Sequence, residues 1–146
     1  MKTLFTSEAE SVGGRSGSIS SPGGLLNANL GNPLESGMED RGPNPELFFA
    51  AAYAACYHSA LINAAEKAGH SPHDSKVRAL VSLQEDDQGG YRLKVELRAE
   101  LPGLTRDQAR RTMEAAHLSC PYSKALRGEA TVRLVVEDSK AVSMAE

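Results

Sequence analysis

The sequence predicts a mixed α+β domain with segregated strands and a buried central helix. Three observations carry that class. An apolar stretch over 44–69 has helix signals at both ends; residues 77–101 alternate apolar and polar on either side of a turn-rich segment; and a second capped helix after Thr105 leads into a last strand-like run. With 146 residues the chain has the size of one ordinary domain, 1–146. Its 40% hydrophobic and 24% charged residues place it among globular proteins rather than disordered ones. A net charge of -3 leaves no basic excess to neutralise phosphates, so no nucleic-acid partner is expected. No uninterrupted apolar run reaches bilayer-spanning length, and Met1–Glu8 turns polar too early for a signal peptide. Neither a membrane partner nor export is therefore expected, and the expected location is cytoplasmic.

Residues 1–43 are read as N-terminal strands and a loop. Candidate strands lie within Thr3–Val12 and Ser16–Asn29, broken by Gly13-Gly14 and Pro22-Gly23-Gly24, and 31–43 is loop. Asn44-Pro45-Glu46 then opens the central helix: Asn44 as N-cap, Pro45 at the first helical position, and Glu46 at the positive end of the macrodipole. Gly69 is the expected stop. Because nearly every position from Leu47 to Ala55 is apolar, the helix is expected to be buried on most sides. Ala50, Ala51, Ala52, Ala54 and Ala55 leave little side-chain bulk, so another backbone can approach closely. The hairpin covers 77–101, turning at Asp86-Asp87-Gln88-Gly89-Gly90, with Arg78, Gln84, Arg92, Lys94, Glu96 and Arg98 on a solvated face. Thr105 and Gln108 form a capping box for a helix reaching about Leu118. Cys120-Pro121 starts a further helical turn, so 105–128 is helical, 130–138 is the last strand, and 141–146 is a frayed tail.

The functional question centres on two cysteines. Cys56 and Cys120 are too few for a secreted disulfide framework, which leaves inert buried thiols, metal ligands or a redox pair. Cys56 lies inside the apolar helix, where a cysteine often serves as a small hydrophobe. Cys120 precedes a helix-starting proline, where unpaired backbone N–H groups favour a thiolate. A metal site built from Cys56, His58, His117 and Cys120 fails in its first half, because residues two apart on a helix point about 200° apart. His58 is read as a surface or partner-facing residue, and no metal is expected. A cysteine–histidine hydrolase lacks any motif that singles out one histidine.

A redox pair would draw in two more residues. A peroxidatic thiolate needs a cation nearby, and Arg15 sits in the glycine-flanked turn Gly13-Gly14-Arg15-Ser16-Gly17. A buried arginine needs a carboxylate, and Glu46 adjoins the apolar helix. Both residues could equally be plain surface charges.

Three segments together resemble the organic hydroperoxide resistance (Ohr) branch of the OsmC/Ohr family: Gly13–Gly17, Asn44-Pro45-Glu46 through Ala54-Ala55-Cys56, and Cys120-Pro121-Tyr122-Ser123-Lys124-Ala125 with Arg127-Gly128. The glycine-flanked Arg15 favours the Ohr branch. Ala52 stands where the family pattern has glycine, and Leu126 and Glu129 replace commoner threonine and asparagine. The resemblance implies an intertwined α+β homodimer with strands around long buried central helices. It also implies a cysteine-based peroxidase that reduces organic hydroperoxides to alcohols without any cofactor. Cys56 would be the peroxidatic nucleophile, Cys120 the resolving thiol, and Arg15 with Glu46 the network holding Cys56 as thiolate. The disulfide between Cys56 and Cys120 would be re-reduced by a lipoylated protein or another dithiol. Phe48 and Phe49 are the expected lining for a bulky apolar hydroperoxide. Ten residues separate Glu46 from Cys56, about 15 Å of helical rise, so the two cannot touch within one helix. The competing class is a small-molecule-binding or interaction domain with structural cysteines.

Overall fold

The structure, a computed structural model, describes residues 1–138. The tail expected over 141–146 lies outside the described residues. Contacts cluster into two units, Met1–Phe48 and a second that starts at Phe49.

The first unit contains a three-stranded antiparallel sheet, β1 (Glu10–Val12), β2 (Ser18–Ser20) and β3 (Asn27–Asn29), in the order β1-β2-β3. These strands are shorter than the sequence suggests. Residues 1–9 form no regular structure, and Leu4 and Phe5 stand exposed, because among the described residues no strand pairs with them. Between β1 and β2 the chain makes one 3₁₀ turn, Gly14–Ser16. Gly13 takes a left-handed φ of 81°, and a side chain at Gly17 would run into the Val12 carbonyl, so both ends of this turn require glycine. The loop after β3 is anchored by its own hydrogen bonds, including Asn32 N–H to the Met38 carbonyl.

Helix α1 (Pro45–Lys67) has 23 residues and starts in the first unit. Asn44 caps it, its Oδ1 accepting from Leu47 N–H at 2.8 Å. At the far end Gly69 has φ 82°, and the His70 and Gly69 N–H groups return to the carbonyls of Ala65 and Glu66, a Schellman stop. Residues 47–65 carry no charge, so α1 is long and apolar enough by length and composition to cross a membrane, with a mean hydropathy of 1.3 in one window. The sequence reading had counted no such run.

The expectation that α1 is buried on most sides is corrected. It buries one stripe, Tyr53, Tyr57, Leu61 and Ala65, at a spacing of four. Ala51, Ala52 and Ala55 are exposed, because one sheet and one further helix can cover only one side of a cylinder.

That stripe packs in the second unit against a sheet of β4 (Lys76–Glu85), β5 (Tyr91–Glu100) and β6 (Thr131–Glu137), ordered β4-β5-β6. β4 and β5 form the antiparallel hairpin with Arg78 opposite Arg98, and β6 runs parallel to β5. Helix α2 (Arg106–Ser119) and the short α3 (Pro121–Leu126) make the crossover a parallel pair requires. The capping box at Thr105 and Gln108 is present in both directions. The core joins Val95, Leu97 and Ala99 of β5 to the α1 stripe and to Ala109, Met113 and Ala116 of α2. On the other face of the sheet, Arg98 and Arg133 pair with Glu96, while Arg78 and Arg98 approach Glu137. That face is solvated, as expected, and also carries ion pairs within and across its strands.

Candidate active site

Two pairs of residues predicted from the sequence come together, each within its own unit. In the first, Arg15 and Glu46 meet in a two-pronged ion pair, Nη1 to Oε2 at 2.9 Å and Nη2 to Oε1 at 2.6 Å. The planar guanidinium matches the carboxylate fork, a geometry lysine cannot copy. The Arg15 hydrogen bonds hold the Glu46 carboxyl below its usual value, and the same contact raises Arg15 further. The turn carrying Arg15 is braced from the loop: Ser16 donates to Glu35 at 2.5 Å and accepts from Asn32 Nδ2 at 3.1 Å. Ser16 falls within the glycine-flanked motif without a role of its own there, and Asn32 and Glu35 are ordinary loop residues until the chain brings them together.

In the second pair, the sulfur atoms of Cys56 and Cys120 lie 3.8 Å apart, both as free thiols. Cys56 is half-buried on α1, and Cys120 is fully buried at the corner where α2 ends and α3 begins. Its backbone N–H closes α2 on the Ala116 carbonyl, and Pro121 occupies the first position of α3. Burial pushes the Cys56 thiol above its ordinary value, and the hydrogen bond and charge of Cys120 add to that; the Tyr122 backbone acts the other way.

Two tyrosines of the α1 stripe flank Cys56 and bind the opposite elements. The Tyr57 hydroxyl donates to the Met113 carbonyl at 2.8 Å, and the Tyr53 hydroxyl lies 2.6 Å from Ser123 Oγ. Ser123 also meets His117 Nδ1 at 2.8 Å, and Arg127 Nη2 donates to the His117 carbonyl. Desolvation raises both tyrosines and lowers His117, which Arg127 lowers further. Tyrosines four apart on an apolar helix were the available signal, since a buried phenol needs a hydrogen-bond partner.

The other candidates fall as follows. Phe49 packs edge-on against Tyr53, whose ring in turn neighbours Tyr122, so an aromatic row runs beside the two thiols. Phe48 is half-buried. His58, expected on the surface or facing a partner, is half-buried with Nε2 at 2.9 Å from Ser75 Oγ. Among the described residues no three histidine, cysteine or acidic side chains converge on a point that could hold a metal.

Two free thiols 3.8 Å apart, carried by an apolar helix and a helix–helix corner on an α+β frame, make a candidate redox pair. Comparison makes the assignment specific. The family model described as OsmC-like protein matches residues 37–135. The organic hydroperoxide resistance protein OhrB of Bacillus subtilis is 40% identical over 132 residues, covering 90% of this chain and 96% of that protein. Its crystal structure superposes with a TM-score of 0.86 at 38% identity, covering 92% of this chain and all of the other. An organic hydroperoxide resistance protein from Legionella pneumophila gives a TM-score of 0.85 at 39% identity, covering 94% of this chain and all of that one. The chain belongs to the OsmC/Ohr family, in its organic hydroperoxide resistance branch.

Proposed function

We propose that this protein detoxifies organic hydroperoxides as a two-cysteine peroxidase. The observation that carries the reading is the 3.8 Å approach of Cys56 and Cys120 in a chain whose relatives are organic hydroperoxide resistance proteins. The Cys56 thiolate attacks the terminal oxygen of ROOH; the O–O bond breaks, the alcohol leaves with a proton, and Cys56 becomes a sulfenic acid. Cys120 then attacks that sulfur, the S–S bond forms, and the hydroxyl departs as water with the Cys120 proton. A dithiol, such as the dihydrolipoyl group of a lipoylated protein, restores both thiols by exchange and leaves as a cyclic disulfide. No cofactor takes part, and a reducing cytoplasm suits the cycle.

Unequal burial supports this division of roles. Cys56 is the more accessible sulfur, so it meets the hydroperoxide, while Cys120 is shielded from oxidants and reacts with Cys56. Because burial and Cys120 raise the Cys56 thiol, the peroxide step requires a cation to favour the thiolate. Arg15 is the residue we assign to that task, held in shape by Glu46. Phe48 and Phe49 are assigned to the apolar part of the substrate.

The working unit is a homodimer. Support comes from apolar surface that the single chain leaves uncovered: Leu4, Phe5 and Leu25 near the N-terminus, and Leu47, Ala51, Ala52 and Ala55 on α1. The alanine face permits close helix pairing, and such pairing offers Glu46 of one copy a way to act on Cys56 of another.

The deciding experiment is a free-thiol count on reduced protein before and after one equivalent of cumene hydroperoxide, with mass analysis under non-reducing conditions. Loss of both thiols within one chain, reversed by dihydrolipoamide, is the expected result. Unchanged thiols would overturn the reading and leave an interaction domain with structural cysteines.

A further inference from the structure

Ser123 occupies a position that neither the peroxide step nor the exchange step uses. It is 1% exposed, three residues after Cys120, and its hydroxyl has two partners. One is Tyr53, three residues before Cys56 on α1; the other is His117, three residues before Cys120 on α2. A single buried hydroxyl thus ties together the three elements that carry the thiols, about one helical turn from each sulfur.

We infer that Ser123, anchored by Tyr53 and His117, is the positioning residue that holds Cys120 within closing distance of Cys56. The inference rests on the function proposed above.

Three observations argue for it. Helix α3 has only six residues, too few to be stable on its own, so its place depends on tertiary anchors. Cys120 sits at an extended corner with φ -62° and ψ 124°, its backbone bonded to Ala116 and Lys124 and its side chain making no capping bond, so the thiol's place follows from where α2 and α3 are held. Closure must bring the sulfurs from 3.8 Å to about 2.05 Å, and a misplacement of about 1 Å in a reacting pair can cost about 100-fold in rate.

The hydrogen bonds also have a direction that fits. A serine hydroxyl has one proton and two acceptor sites. Burial and Arg127 lower the His117 pKa, and in the neutral tautomer with Nδ1 unprotonated Ser123 donates to Nδ1 and accepts from Tyr53. Among the described residues no buried side-chain nitrogen or oxygen is left without a partner. Arg127, by donating to the His117 carbonyl, ties the end of α3 back to α2.

The balanced step at issue is Cys56–SOH plus Cys120–SH giving the disulfide and water; positioning alters its rate and leaves the preceding attack on ROOH unaltered. The test follows both steps after one equivalent of cumene hydroperoxide, trapping sulfenic acid with dimedone and counting disulfide by mass after acid quench. In Ser123→Ala we expect sulfenic acid to form within twofold of the wild-type rate, disulfide closure to slow about 10- to 100-fold, and Cys56 sulfinic acid to accumulate. His117→Asn, whose amide can stand in for Nδ1, should restore closure to within about threefold, whereas His117→Leu should not. A merely structural role would not be rescued this way and would slow both steps together. Tyr53→Phe removes one hydroxyl and no packing, so it gives the same reading if Ser123→Ala does not fold. Closure within twofold of wild type in the folded variants, or an equal fall in both steps, overturns the inference. If the wild-type protein itself loses no thiols, the proposed function fails first and is seen to fail separately.

Discussion

Replacing Cys120 by serine removes the sulfur proposed to resolve the cycle and almost nothing else, since the two side chains differ by one atom. With both thiols free the sulfurs lie 3.8 Å apart, so in the proposed cycle closure needs only about 1.8 Å of further travel. Well-oriented intramolecular partners reach effective concentrations of about 10⁵ M or more. Even one ten-thousandth of that, about 10 M, outruns a second hydroperoxide molecule at about 1 mM by roughly 10⁴-fold, if intrinsic reactivities are similar. Wild-type protein should therefore survive many equivalents of oxidant when a dithiol is present. In Cys120→Ser the competition vanishes, and the Cys56 sulfenic acid waits for an external thiol or is oxidised further to the irreversible sulfinic acid. The assay exposes both proteins to increasing equivalents of cumene hydroperoxide without reductant, then measures by mass the fraction of Cys56 that dithiol recovers. We expect near-complete recovery for wild type at ten equivalents and loss of most recoverable Cys56 in the variant. Equal over-oxidation of the two proteins at the same equivalents would refute the resolving role.

Four further outcomes follow from the same geometry. Arg15→Ala should shift the Cys56 thiolate titration upward and slow sulfenic acid formation; an unchanged thiol absorbance curve would remove Arg15 from the mechanism. Glu46 has its carboxyl lowered by Arg15, so the stability it contributes is present above about pH 4.5, its ordinary value, and is lost as pH falls through the lower folded value. Glu46→Gln should flatten the acid limb of stability in urea unfolding, and an identical acid limb would count against the ion pair's contribution. Tyr57→Phe leaves the Met113 carbonyl without its donor in the core and should cost about 1 to 2 kcal/mol, a Tm drop of about 3 to 8 °C by calorimetry, with Cys56 oxidation intact. Dilution should reduce peroxidase activity together with the dimer fraction in sedimentation, and a fully active monomer would refute the dimeric working unit.

The sequence carried the local rules and lost the distant ones. The Asn44 cap, the Gly69 stop and the Thr105–Gln108 box were legible because each signal lies within a few residues of the bond it makes. The hairpin was legible because its period of two spans both strands. Three things were not. The parallel pairing of β6 with β5 depends on a crossover that no local pattern records. The first strands shrink to three residues each, because strand propensity over Thr3–Val12 means little without a partner strand. Helix α1 is one-sided, since hydrophobic composition measures how much surface can be buried and not how much the chain has available to cover it.

The candidate site divides along the same line. Motif resemblance named Cys56, Cys120, Arg15 and Glu46, and the structure pairs them as cysteine with cysteine and arginine with glutamate. The residues around them were missed because their meaning is relational. Ser123 reads as one serine in a short helix until Tyr53 and His117 reach it from 70 and 6 residues away. In the sequence His117 reads as a metal ligand or as one of four possible hydrolase bases, because its spacing to Cys120 is also a ligand spacing. One spacing thus served two chemistries. In the structure Nδ1 lies 2.8 Å from a buried hydroxyl, and among the described residues no three histidine, cysteine or acidic side chains converge around it.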